Sequence, residues 1–151
     1  MAAGNVIPYT IGIQNVNKAL IDLDGDTIVC VLLASSYTPG RTTHSAWSDM
    51  SAAEVSGTGY TAGGVELANK AVTHAGGTIT FDADDATWAA ATLTAKYAAL
   101  VKRAGGSLVA GDLALAYVDL DTGGGSVTST AATFTVQWNA SGIFTITGNS
   151  S

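Results

Sequence analysis

The chain is poor in cysteine, proline, histidine and charge, and each shortage excludes a class of protein. Cys30 is the only cysteine, so no intrachain disulfide can form and a disulfide-stapled secreted module is ruled out. Cys30 lies in the apolar run Thr27-Ile28-Val29-Cys30-Val31-Leu32-Leu33, where a thiol acts as a small hydrophobe rather than a nucleophile. His44 and His74 are the only histidines, and neither has a partner at the H-x-x-x-H spacing of a zinc site. Six basic residues, Lys18, Arg41, Lys70, Lys96, Lys102 and Arg103, are scattered along a chain of net charge −6. A nucleic-acid backbone needs a concentrated cationic footprint, so no direct nucleic-acid partner is expected. An anionic membrane surface is equally unattractive to this chain. No run approaches the roughly 18 apolar residues of a membrane span. Met1-Ala2-Ala3-Gly4-Asn5 carries no positive n-region and no apolar h-region follows, so synthesis and retention in a reducing cytoplasm are expected.

What remains is a chain of 151 residues, 47% hydrophobic and 12% charged, rich in Ala, Gly, Ser and Thr. The length suits one domain with a core large enough to need neither metal nor disulfide. Glycine clusters recur at Gly57-Thr58-Gly59, Gly63-Gly64, Gly76-Gly77, Gly105-Gly106 and Gly123-Gly124-Gly125, marking turns between short strands.

Eight strands are expected. Val6 to Ile13 contains Pro8, which cannot donate to a ladder, so residues 1–16 read as an edge strand or an extended arm ahead of a sandwich domain over 17–151. Thr27 to Ala34 is apolar on both faces, as a strand buried on both sides should be. Val65 to Thr73 alternates, with Val65, Leu67 and Ala71 opposite Glu66, Lys70 and His74. Thr78 to Asp82 follows across an Ala75-Gly76-Gly77 hairpin turn. Thr92 to Lys102 sets Leu93, Ala95, Tyr97, Ala99 and Val101 on one face. Asp112 to Leu120 is the sixth strand. Ala132 to Trp138, with Phe134, Val136 and Trp138 on one face, and Ile143 to Thr147 are the last two, joined by an Asn139-Ala140-Ser141-Gly142 hairpin loop. Brief helical turns are expected at Asn17 to Leu20 and in Ser45 to Val55, the latter with a Ser51-x-x-Glu54 capping box. The fold class is all-β: a single-domain, jelly-roll-like β-sandwich of about eight strands with short helical turns.

No catalytic constellation is visible. Asp22-Leu23-Asp24-Gly25-Asp26 has acids at the first, third and fifth places of a calcium loop. Thr27 stands where the glycine belongs and Leu33 where the bidentate glutamate belongs, so a surface turn is expected there. Two further acidic knots, Asp82-Ala83-Asp84-Asp85 and Asp119-Leu120-Asp121, would need to meet in space to hold a cation. There is no G-x-S-x-G elbow and no phosphate-binding glycine loop. Neither catalytic, cofactor-binding nor metal-binding residues are assigned, and no enzymatic activity is expected. Trp47, Trp88 and Trp138 read as core anchors, with a sugar-stacking platform as the alternative.

The runs Ile21 to Ile28, Leu32 to Pro39, Trp47-Ser48-Asp49, Glu54 to Gly64, Phe81 to Trp88, Ala95 to Ala98 and Trp138 to Ile143 resemble a family of small tailed-bacteriophage virion proteins, over roughly residues 20–147. Glu54-Val55-Ser56-Gly57-Thr58-Gly59-Tyr60-Thr61-Ala62-Gly63-Gly64 is the most specific stretch. The resemblance implies a structural role without catalysis, as a decoration or cement protein on the capsid exterior, made in the host cytoplasm. The implied partners are the major capsid protein and further copies of the chain, as a dimer or trimer. A tail, neck or fibre component and a glycan-binding module are the alternatives. Val6, Ile7, Pro8, Tyr9, Ile11 and Ile13 of the arm are the expected capsid or subunit contacts, through strand addition.

Overall fold

Ile28–Leu33 is a strand in which every residue is buried, and the alternation of its side chains divides the interior in two. Ile28, Cys30 and Leu32 enter one core; Val29, Val31 and Leu33 enter another. A strand covered on both faces needs apolar residues at every position, as this run supplies. The computed structural model describes residues 3–148. Its elements are β1 (Ile7–Pro8), α1 (Thr10–Asn17), β2 (Ile28–Leu33), β3 (Val65–Glu66), β4 (Ala71–Ala75), β5 (Thr78–Asp82), β6 (Ala86–Ala95), β7 (Tyr97–Lys102), β8 (Leu113–Asp119), β9 (Val127–Val136) and β10 (Phe144–Thr147). Two short 3₁₀ turns, Trp47–Asp49 and Ser51–Ala53, lie between β2 and β3.

The strands form an all-β, sandwich-like single domain. One sheet has the order β1-β8-β7-β2-β3, a second β10-β5-β4, and β6 pairs with β9. Every pairing is antiparallel. The larger core lies between the five-stranded sheet and the other strands, around Leu32, Leu100, Phe81, Trp88 and Phe134. The smaller covers the outer face of the five-stranded sheet with Tyr9, Tyr37, Trp47 and Met50. Trp47, Trp88 and Trp138 are all buried, as core anchors.

Several expectations are corrected. The extended segment through Ile13 gives way to a two-residue edge strand, on which Pro8 pairs with Ala116, followed by a helix. The helix forms although Ile11, Val16 and the two asparagines are mediocre helix formers. Its position follows from Gly12: a Cβ there would sit 2.5 Å from the Leu115 carbonyl oxygen, so only glycine lets α1 lie against β8. The turn expected at Asn17 to Leu20 is the helix's exit, where Ala19 takes a left-handed φ of 56°.

The expected strand Val65 to Thr73 is two strands in different sheets, β3 on β2 and β4 on β5, with Asn69 at φ 52° in the crossing. The expected strand Thr92 to Lys102 is also two. Leu93 and Ala95 face the larger core, but beyond Lys96 it is Ala98 and Leu100 that do so, while Ala99 and Val101 face the smaller. The parity of the alternation flips at Lys96, whose amide donates to the Leu33 carbonyl and whose carbonyl accepts from the Leu120 amide. Its ammonium is drawn inside, 2.8 Å from the Asp119 carboxylate and 2.5 Å from the Asp121 carbonyl. Finally, β10 does not return on β9 as a hairpin. It pairs with β5, Phe144 opposite Phe81 and Ile146 opposite Ile79.

The Glu54 to Gly64 stretch is a braced loop. One oxygen of the Glu54 carboxylate accepts from the Tyr60 hydroxyl at 2.8 Å and the Gly63 amide at 2.6 Å, and the Leu32 amide donates to the Tyr60 oxygen. Glu54 therefore braces a loop rather than closing a capping box with Ser51. Gly64, at φ 70°, presses against the Cys30 carbonyl where any Cβ would overlap it.

Gly12→Ala gains helix propensity of about 1 kcal/mol but forces α1 off β8. Overpacking of this kind costs about 1–3 kcal/mol, so net destabilisation is expected in a urea titration. Asp119→Ala leaves the Lys96 ammonium buried without its carboxylate and is expected to cost about 3–5 kcal/mol. Lys96→Met strands only a carboxylate that is 32% exposed, and a smaller loss is expected by the same measurement.

Candidate functional site

A groove of about 770 Å³ lies where the N-terminal segment, the end of β8, β9 and β10 converge. One wall is the segment leading into β1, fixed by the Gly4 amide donating to the Asp119 carbonyl at 2.7 Å and by the pairing of Pro8 with Ala116. The floor is apolar, with Val118, Leu120, Phe134, Val136 and Phe144 reaching down into the larger core. The far wall is the connection from β9 to β10. There Trp138 is pinned twice, its amide to the Asp85 carboxylate at 2.8 Å and its indole N–H to the Asp84 carbonyl at 3.0 Å. Gly142 turns this connection at φ 106°, tight against Thr80.

Two properties define the groove. Among the described residues no Asp, Glu, Lys, Arg or His lines it; its polar groups are neutral amides and hydroxyls such as Asn5, Gln137, Asn139 and Thr145. It also lies between two strands that, among the described residues, are each bonded on one side only, β9 to β6 and β10 to β5. An apolar floor, neutral polar walls and half-paired strands suit the binding of an extended peptide. Among the described residues the lining offers backbone, amide and hydroxyl groups.

The expected contact residues part company here. Val6 and Pro8 line the groove. Ile7 is half-buried and pairs with Tyr117. Tyr9 is fully buried, Ile11 is half-buried in α1, and Ile13 packs against the larger core. The apolar character that marks this segment as an arm in the sequence thus serves mainly its own domain, and Met1 and Ala2 at the start of the arm lie outside the described residues. The groove's polar wall was not singled out by sequence reasoning. The alternation Phe134, Val136, Trp138 pointed to part of its floor, but nothing local marks Asn5, Gln137 and Thr145 as neighbours.

The remaining candidates are occupied structurally. Burial pushes the Cys30 thiol pKa far up, which suits an inert core residue. The acidic turn closes on itself: Asp26 accepts from the Asp22 amide at 2.7 Å, Asp22 accepts from the Gly25 amide, and Asp26 pairs with Lys102 at 2.7 Å. Among the described residues no three of His, Cys, Asp and Glu converge as a metal site would require. Trp47, Trp88 and Trp138 present no open indole face for sugar stacking. No helix among the described residues is long and apolar enough to cross a membrane.

His74 is exposed on β4. His44 ends a hydrogen-bonded chain under the smaller core. Its Nδ1 accepts from the Gly40 amide, so the Tyr37 hydroxyl donates to the same nitrogen at 2.9 Å and itself accepts from the Tyr9 hydroxyl at 2.5 Å. Burial raises the pKa of both tyrosines. The loop carrying His44 is tied to the first 3₁₀ turn by Asp49, which accepts from the Ser45 and Ala46 amides at 2.7 and 3.0 Å.

No protein-family model, curated protein or solved structure matches the chain.

The Ser45 amide, opposed by slight desolvation and helped by the Ala46 amide, holds the Asp49 carboxyl below its ordinary range. A lowered folded value means that the stabilisation is present above the ordinary carboxylate range and is lost as pH falls through the folded value. Stability is therefore expected to decline between about pH 5 and pH 2. Asp49→Asn keeps an acceptor but cannot titrate, so its urea midpoint is expected to fall less steeply with pH.

Proposed function

We propose that the chain is a non-enzymatic structural protein of a tailed-phage virion, one that binds the outer surface of the capsid and stabilises it. The uncharged groove between β9 and β10 carries this reading, together with the resemblance over residues 20–147. In this reading the groove takes an extended segment of the major capsid protein. Main-chain groups of β9 or β10 supply strand-addition bonds, and the apolar floor receives alternate side chains. A neutral groove suits a partner recognised by backbone and shape rather than by charge. Weak contacts of this kind become effective when many copies engage one lattice. A tail, neck or fibre location would use the same surface and differs in where the copies sit on the particle.

The test is to add purified protein to heads that lack it. Binding across the shell with increased resistance of the heads to heat is expected. Absence of binding, or density confined to the tail or neck in a reconstruction, would refute the capsid reading. Thr145→Arg places a charge on the exposed rim of the groove. Without a partner for that charge, binding should weaken at least about tenfold, with thermal unfolding of the free protein unchanged.

A further inference from the structure

The β4–β5 hairpin has an open outer edge. All five residues of β4 are exposed, and among the described residues β4 pairs only with β5. Gly76 and Gly77, at φ 56° and 81°, form the two-residue turn of the hairpin and close the Ala75–Thr78 pair. In a hairpin closed this way the directly bonded pairs are Ala75–Thr78, Thr73–Thr80 and Ala71–Asp82. The main-chain groups of Val72 and His74 therefore point away from β5, toward the open edge. The devices that usually blunt such an edge are missing from β4: it has no proline, no Asp, Glu, Lys or Arg, and no register shift against β5.

One face of this hairpin also runs past the core. Phe81 and Phe144 are buried, but Ile79 and Val72 on the same face are 42% and 38% exposed, and Ile146 beside Ile79 is half-exposed. An apolar face next to an unpaired edge accepts another strand.

We infer that this edge pairs with β4 of a second copy, antiparallel about a two-fold axis at Thr73. In that register Val72 and His74 of each copy exchange main-chain hydrogen bonds with His74 and Val72 of the other, using the groups that face outward. Ala71 meets Ala75, and no charged side chain is set opposite a like charge. Two chains of net charge −6 repel, and an edge free of formal charge on Asp, Glu, Lys and Arg is where they approach at least cost. The exposed row Ile146, Ile79, His74 of one copy then continues into Val72, Phe81 and Phe144 of the other. The three-stranded sheets merge into one of order β10-β5-β4-β4-β5-β10. The same patch serves both partners, as an isologous dimer requires. This surface is separate from the groove and stands whether or not the capsid reading holds.

Sedimentation across micromolar to millimolar concentrations is expected to show a reversible dimer. Val72→Pro removes an outward-facing N–H without touching the ladder to β5, a substitution that edge strands tolerate. It should weaken the dimer at least about tenfold while the far-ultraviolet circular dichroism stays unchanged. Thr73→Cys places two thiols across a non-hydrogen-bonded pair, where Cα atoms about 4.5 Å apart permit a disulfide. This variant should cross-link on mild oxidation much faster than the exposed control Thr42→Cys, with Cys30 buried and silent. A monomer throughout the range, a trimer, a dimer insensitive to Val72→Pro, or equal cross-linking of the two cysteine variants would each overturn the inference.

Discussion

The constraint on which the structure depends is the burial of both faces of β2. A single strand whose successive side chains enter different cores cannot be satisfied by one sheet packed on another. One face requires the layer built from β5, β6, β9 and β10. The other requires a second cover, and the chain makes it from segments with little regular structure: Tyr9 ahead of α1, Tyr37 after β2, Trp47 in the first 3₁₀ turn and Met50 between the two turns. The tyrosine hydroxyls brought inside by this cover must be bonded, and His44 supplies the terminal acceptor. The braced Glu54 to Gly64 loop follows from the same demand. It must pass close to the backbone of β2, and Gly64 is small enough to do so.

Much of this was legible in the sequence, because burial leaves a direct pattern. The all-apolar run gave β2, the alternation of Phe134, Val136 and Trp138 gave the inner face of the end of β9, and Gly76-Gly77 gave the hairpin. What misled was alternation that continues through a change of sheet. Leu93, Ala95, Tyr97, Ala99 and Val101 look like one face of one strand, yet the chain turns at Lys96 and the faces exchange. Because β7 is buried on both sides, either parity is apolar, and the pattern cannot reveal the flip. The N-terminal helix was hidden for a related reason. Its apolar residues are compatible with a strand, and the cause of its placement, Gly12 against the Leu115 carbonyl, is a contact across about a hundred residues.

The groove was less legible than the fold. Its floor is core and carries a core signature. Its identity as a site comes from strand order, since β10 pairs with β5 and leaves the open side of β9 free. No residue type announces that arrangement. Uncharged walls are also a weak sequence signal in a chain with so little charge anywhere. Side-chain chemistry decides many binding sites; here the candidate site follows from which backbone edges were left without neighbours.

Lys96 has a mechanical consequence. β6, Lys96 and β7, of ten, one and six residues, follow one another directly along the chain, and this ribbon belongs to two layers of the sandwich in turn. Tension applied along β7 passes through the covalent backbone into β6, parallel to its pairing with β9. The bonds of that ladder are then loaded in shear, together, rather than peeled one after another. The ammonium clamped by Asp119 and Asp121 sits at the point where the ribbon bends and resists its straightening. The layers are thus tied at this corner by the chain itself, as a fabric is tied by a continuous thread passing from one ply to the next.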